Sequence, residues 1–72
     1  MIQVFLEKLN ELVDKRSSIE LNTGQNIICI PSQYLQEDYE SFLIKVLEST
    51  GEYSAGDLVE LEEYQIKSVI AM

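Results

Sequence analysis

Residues 35–47 read Leu35-Gln36-Glu37-Asp38-Tyr39-Glu40-Ser41-Phe42-Leu43-Ile44-Lys45-Val46-Leu47, and this stretch decides the fold. Two periodicities run through it. Leu35, Tyr39, Phe42, Leu43, Val46 and Leu47 fall at the three- and four-residue spacing of one helix face. Phe42, Ile44 and Val46 also alternate with Leu43, Lys45 and Leu47, as in a buried strand. Propensity does not choose between them: Leu, Glu and Lys favour helix, while Phe, Ile and Val favour strand. Read as helix, the stretch gives a two-helix α+β fold. Read as strand, it gives a mainly β chain with one helix.

The flanks are clearer. Upstream, Ile2, Phe5, Leu6, Leu9, Leu12 and Val13 make one apolar stripe at helical spacing, which predicts a helix over residues 2–15. Lys15 and Arg16 suit its C-terminus, where the helix dipole favours positive charge. The period then changes. Ile19 and Leu21 alternate with Ser18, Glu20 and Asn22, as in a half-buried strand. Asn22-Thr23-Gly24-Gln25 supplies a turn, and Ile27 to Ile30 a second apolar run, so the pair reads as a hairpin. Pro31 lacks an N–H, so the second strand must bend, bulge or become an edge there. Downstream, residues 48–57 form a polar loop containing Gly51 and Gly56. Leu58, Val59 and Leu61 predict a short strand, Glu62 to Ile66 a tight turn, and residues 67–71 a last strand.

This order resembles the Sm-like family, including the Hfq-type RNA chaperones, and more broadly the small SH3-like barrels. Three stretches carry the resemblance: Ile19-Glu20-Leu21-Asn22-Thr23-Gly24-Gln25 as a strand and Gly hairpin, Glu37-Asp38-Tyr39 as the bend between two strands, and Gln65-Ile66-Lys67-Ser68-Val69 as the closing segment with its anchoring isoleucine. The resemblance implies that the middle stretch is a strand. It implies a five-stranded barrel over residues 18–71 with the helix capping one end, which would bury the helix stripe. The residues at the family's RNA-binding signature speak against its RNA function. Where its signature has Tyr-Lys-His, the matching stretch here is Glu62-Glu63-Tyr64-Gln65-Ile66, and an acid and a tyrosine replace the cations that would meet phosphate.

Composition narrows the function classes. The 72 residues are read as one domain over 1–72. So short a chain buries only about 60% of the surface it exposes when unfolded. Small domains make up the shortfall with disulfides, a metal or a partner. Cys29 is the only cysteine, so no internal disulfide exists; between Ile28 and Ile30 it reads as a buried thiol of a reducing compartment. There is no histidine and a single thiol, so a zinc site is not expected. Self-association or a partner protein remains. The chain has 13 acidic and 5 basic residues, a net charge of −8, which repels nucleic acid and anionic membranes. No run of about 18 apolar residues marks a membrane span. The N-terminus has no basic start and no small-residue cleavage site, so a cytoplasmic location is expected.

Catalytic patterns are equally sparse. Without histidine the usual base for a nucleophile is missing. Glu37-Asp38 and Glu62-Glu63 are adjacent carboxylates, which point to opposite faces if extended and read as solvated loop charge. No Gly-Lys-Ser/Thr follows Gly51 or Gly56, so no phosphate-cradling loop is present. No enzymatic activity, cofactor or small-molecule substrate is expected. The four tyrosines are the suggestive feature, since tyrosine joins apolar area to a polar tip and is enriched at interfaces. The sequence therefore reads as a non-enzymatic protein-interaction module that self-associates or docks on a partner. Tyr34, Glu37, Asp38 and Tyr39 form one expected contact region, and Tyr53 to Asp57 the other. One alternative is an acidic nucleic-acid mimic that inhibits a DNA- or RNA-binding protein. A second is an RNA-binding Sm-like ring.

Overall fold

The computed structural model describes residues 3–72. It consists of one helix, α1 (Val4–Glu11), and five antiparallel strands: β1 (Ser17–Leu21), β2 (Asn26–Leu35), β3 (Ser41–Ser49), β4 (Leu58–Leu61) and β5 (Ile66–Ala71). A 3-10 turn, Glu63–Gln65, joins β4 to β5. The strands lie in the order β4-β3-β2-β1-β5.

The helix forms where the apolar stripe predicts it. Leu6 and Leu9 are fully buried, while Glu7, Lys8, Asn10 and Glu11 face solvent. Ile2 and the predicted start at residue 2 lie outside the described residues. The predicted end at residue 15 is corrected to Glu11. Leu12 donates its N–H to Leu9 O, and Asp14 takes a φ of +66° while donating its N–H to Pro31 O. Aspartate tolerates this left-handed conformation better than bulkier residues. The chain turns there to enter β1, and Val13 packs on the core from the turn rather than from the helix. The apolar spacing runs past the true end because it records which side chains are buried, not the backbone that carries them.

The ambiguous stretch is strand. β3 lies between β2 and β4 and pairs with both. Phe42, Ile44 and Val46 are fully buried, Leu43 and Leu47 are half-buried, and Lys45 is exposed. That period of two excludes the two-helix α+β alternative. The apparent helical stripe arose from apolar residues on both faces of β3, with Leu35 at the end of β2 and Tyr39 in the turn between the strands.

The breakers act as their chemistry requires. The β1–β2 turn closes with Gly24 N–H on Leu21 O and Leu21 N–H on Gln25 O. Gly24 sits at φ +94° with open space around it, so backbone conformation rather than crowding requires glycine. Pro31 stays within β2, past the last β1 partner at Cys29, so no β1 ladder bond is forfeited. The register to β3 shifts between Pro31 and Gln33, which is the bulge the proline predicts.

β4 and β5 are edge strands, each with one neighbour in the sheet, so the structure has the expected strands in the expected order but no β4–β5 ladder that would close them into a barrel. The sheet is nevertheless curled. Residues 62–65 connect opposite edges. Five chain steps reach at most about 18 Å, whereas four strand spacings in a flat sheet span about 19 Å. The 3-10 turn shortens the reach further, so the edges must approach each other. Curling wraps the inner face around Phe42, Ile44, Val46, Leu61 and Ile66, and α1 adds Leu6 and Leu9. Among the described residues, no helix is long and apolar enough to cross a membrane.

Cys29 lies in this core, fully buried, and desolvation pushes its thiol pKa up to about 12. The thiolate is the reactive form. A water-soluble disulfide reagent at pH 8 is therefore expected to modify Cys29 only as fast as the chain opens; immediate modification of the native protein would contradict this packing.

Candidate interaction surface

The β2–β3 turn carries the first expected region, and its residues divide into packed and free. The Tyr34 ring leans on Phe42, with centroids 5.6 Å apart and planes tilted by 55°. Its hydroxyl donates to Glu40 Oε1 at 3.1 Å, and Gln36 Nε2 donates to the same oxygen at 3.3 Å. Desolvation, then Glu40, with smaller effects of Glu7 and Glu63, push the Tyr34 pKa to about 12. Tyr34 is thus a rim residue of the core with its polar tip already engaged. Glu37, Asp38 and Tyr39 are exposed. With Leu35, Ser41 and Glu60 they line a cleft of about 310 Å³, in which the buried Ser41 hydroxyl donates to Glu60 Oε1 at 3.2 Å.

The second expected region lies beyond the other end of β3. Asp57 shapes its own loop: its Oδ2 accepts the Ser54 N–H at 2.8 Å, and its N–H donates to Ser54 O at 3.0 Å. Gly56 beside it has a φ of +94°. Tyr53 is half-buried against the core and lines a different cleft, of about 270 Å³, with the β1–β2 turn and the 3-10 turn.

Tyr64, outside both expected regions, borders the clefts of each. Tyr64 is 71% exposed at the middle of the 3-10 turn. It lines the Tyr53 cleft, and also a third cleft of about 300 Å³ shared with Tyr39, Glu40, Glu62 and Glu63. Tyr39, Tyr64 and Tyr53 therefore follow one another around the surface. The turn that presents Tyr64 is tied on both sides. Asn22 Nδ2 donates to Tyr64 O and Asn22 N–H to Gln65 O, while Glu62 N–H donates to Gln65 Oε1 at 2.8 Å. The available signal was an aromatic residue inside an otherwise polar connector, where no core position needs it.

The electrostatics are one-sided. Glu37, Asp38, Glu60, Glu40, Glu62, Glu63 and Glu52 line these three clefts, and no lysine or arginine does. Among the described residues, no group of three or more His, Cys, Asp or Glu is placed to hold a metal ion. No family model, curated protein or solved structure matches the chain.

Proposed function

We propose that this chain is a non-enzymatic protein-interaction module whose contact face is the Tyr39–Tyr64–Tyr53 belt. What carries the reading is Tyr64, an exposed aromatic held on a braced turn so that it borders both flanking clefts. A tyrosine offers a large contact area with few rotatable bonds, so little entropy is lost on binding. The acids around the belt favour a basic partner and oppose phosphate-bearing ones. Tyr39→Ala and Tyr64→Ala are expected to weaken capture of the partner by at least tenfold each, a loss of about 1.4 kcal/mol or more, with unchanged far-UV circular dichroism. Undiminished capture by both would remove the belt. Capture that survives both tyrosine substitutions yet collapses steeply between low and moderate salt would favour the nucleic-acid mimic instead.

A second reading, self-association, rests on the open sheet edges. β4 and β5 each leave one side unpaired, and both present an exposed apolar residue, Leu58 and Ile70. Unpaired edges are templates for a further strand. In this reading the curled sheet is an Sm-like or SH3-like barrel, supported by the order of elements and the short β4–β5 connector. Light scattering coupled to size exclusion, recording absorbance at 260 and 280 nm, decides: a discrete oligomer dissociated by Ile70→Lys supports it, and a monomer sinks it. Co-eluting nucleic acid would revive the RNA-binding ring.

A further inference from the structure

We propose that the Tyr53–Tyr64 cleft receives an arginine side chain of the partner protein, an inference that rests on reading the tyrosine belt as the contact face. Three segments distant in sequence build the cleft: Asn22, Thr23 and Gln25 at the β1–β2 turn, Glu52 and Tyr53 of the β3–β4 loop, and Tyr64 and Gln65. Its chemistry is uneven. The only formal charge is the Glu52 carboxylate, and the other polar groups are carboxamides and hydroxyls. An anionic ligand would meet no cation there.

Gln25 supplies the specific observation. Its Oε1 is buried without a hydrogen-bond donor, lodged against Gly51 so closely that a Cβ on Gly51 would overlap the carboxamide. A buried acceptor without a donor is costly and gains from any donor brought to it. Turned from Gly51 toward the cleft, the carboxamide oxygen can accept an N–H from a ligand. Asn22 already uses its Nδ2 on Tyr64 O, so Oδ1 is the part of its carboxamide left to accept. A guanidinium answers these features together. It carries five N–H donors and no acceptor, a charge for Glu52, and a plane that stacks on tyrosine. Lysine offers the charge without the plane, so the cleft should prefer arginine. The cleft around Glu37, Asp38 and Glu60 is a competing site, since its exposed carboxylates would attract any cation, lysine as well as arginine.

The test is a titration of the isotope-labelled chain with the blocked tripeptide Gly-Arg-Gly and its lysine counterpart, followed by NMR. Saturable shifts at the Gln25 and Asn22 side-chain amides and at Gly51 to Tyr53, several-fold tighter for arginine, are expected. Gln25→Ala and Glu52→Gln should each weaken the arginine peptide several-fold while leaving the spectrum otherwise folded. Tyr53→Ala is a poorer variant because Tyr53 also packs on the core. Absence of shifts at millimolar peptide, equal response to lysine, or shifts centred on Glu37 and Asp38 would overturn the site. So would a short single-stranded RNA that shifts the same residues more strongly. The belt reading fails separately, through partner capture that ignores Tyr39→Ala and Tyr64→Ala.

Discussion

Phe42→Ala is expected to cost about 3–5 kcal/mol, a large share of the stability of so short a chain. The estimate starts from burial. Phe42 is fully buried near the β2–β3 turn, opposite Leu61 on β4 and Tyr34 on β2. Removing a buried aromatic forfeits its transfer free energy and leaves a cavity that neighbours fill only in part. A domain of this length has a total stability of roughly 4–11 kcal/mol, so this one side chain accounts for a large share of it. The damage has a second route here. Tyr34 rests on the Phe42 ring and also holds Glu40 through its hydroxyl, so losing the ring loosens the start of the β2–β3 turn that carries Tyr39. Phe42→Leu keeps most of the apolar volume and should cost only about 1–2 kcal/mol. Urea unfolding followed by far-UV circular dichroism measures both. A loss below about 1 kcal/mol for the alanine variant would mean that Phe42 does not occupy the core as described.

What the sequence made legible follows the range of each signal. The α1 stripe, the Gly24 turn, the Pro31 irregularity and the Ile66 anchor all depend on a few neighbouring residues, and each appears in its expected place, α1 ending early at Glu11. Residues 35–47 were undecidable because β3 is central. Leu43 and Leu47 on its outer side are apolar too, and strands with two apolar faces lose their alternation. Order among the elements, not local pattern, resolved them. The surface was legible only in parts. Tyr39 and Tyr53 lie 14 positions apart and on different clefts, and only the fold shows that Tyr64 stands between them. Tyr34 could not be told from a free tyrosine in sequence, because its engagement depends on register with Phe42 and on Glu40 across the turn. The role of Glu63 was likewise invisible: its partners are 57 and 58 residues away.

That carboxylate governs how the helix is held, and Glu63→Ala is expected to destabilise the fold by about 2 kcal/mol. The first N–H groups of a helix have no partner within it, and Gln3 at the N-cap of α1 provides no side-chain bond. Glu63 reaches across from the 3-10 turn instead. The Phe5 N–H lies 2.9 Å from both of its carboxylate oxygens, and the Leu6 N–H donates to Oε1 at 3.0 Å. Hydrogen bonds to a charged acceptor contribute about 1.5–3 kcal/mol, and loss of an N-cap costs about 0.5–2 kcal/mol. An eight-residue helix has little stability of its own, so it depends on this tether and on Leu6 and Leu9. Glu63→Gln keeps an acceptor oxygen without the charge and should fall between wild type and alanine. Hydrogen exchange separates this from a general loss of stability: the Phe5 and Leu6 amides should lose protection beyond the global change in the alanine variant, while the β2–β3 amides should not. Unchanged relative protection at Phe5 and Leu6 would show that Glu63 is not the cap. Because Glu63 is the neighbour of Tyr64, the same bonds that fix α1 also brace the turn at the centre of the belt. A helix cap supplied from the connector thus couples the stability of one end of the chain to the presentation of its most exposed aromatic.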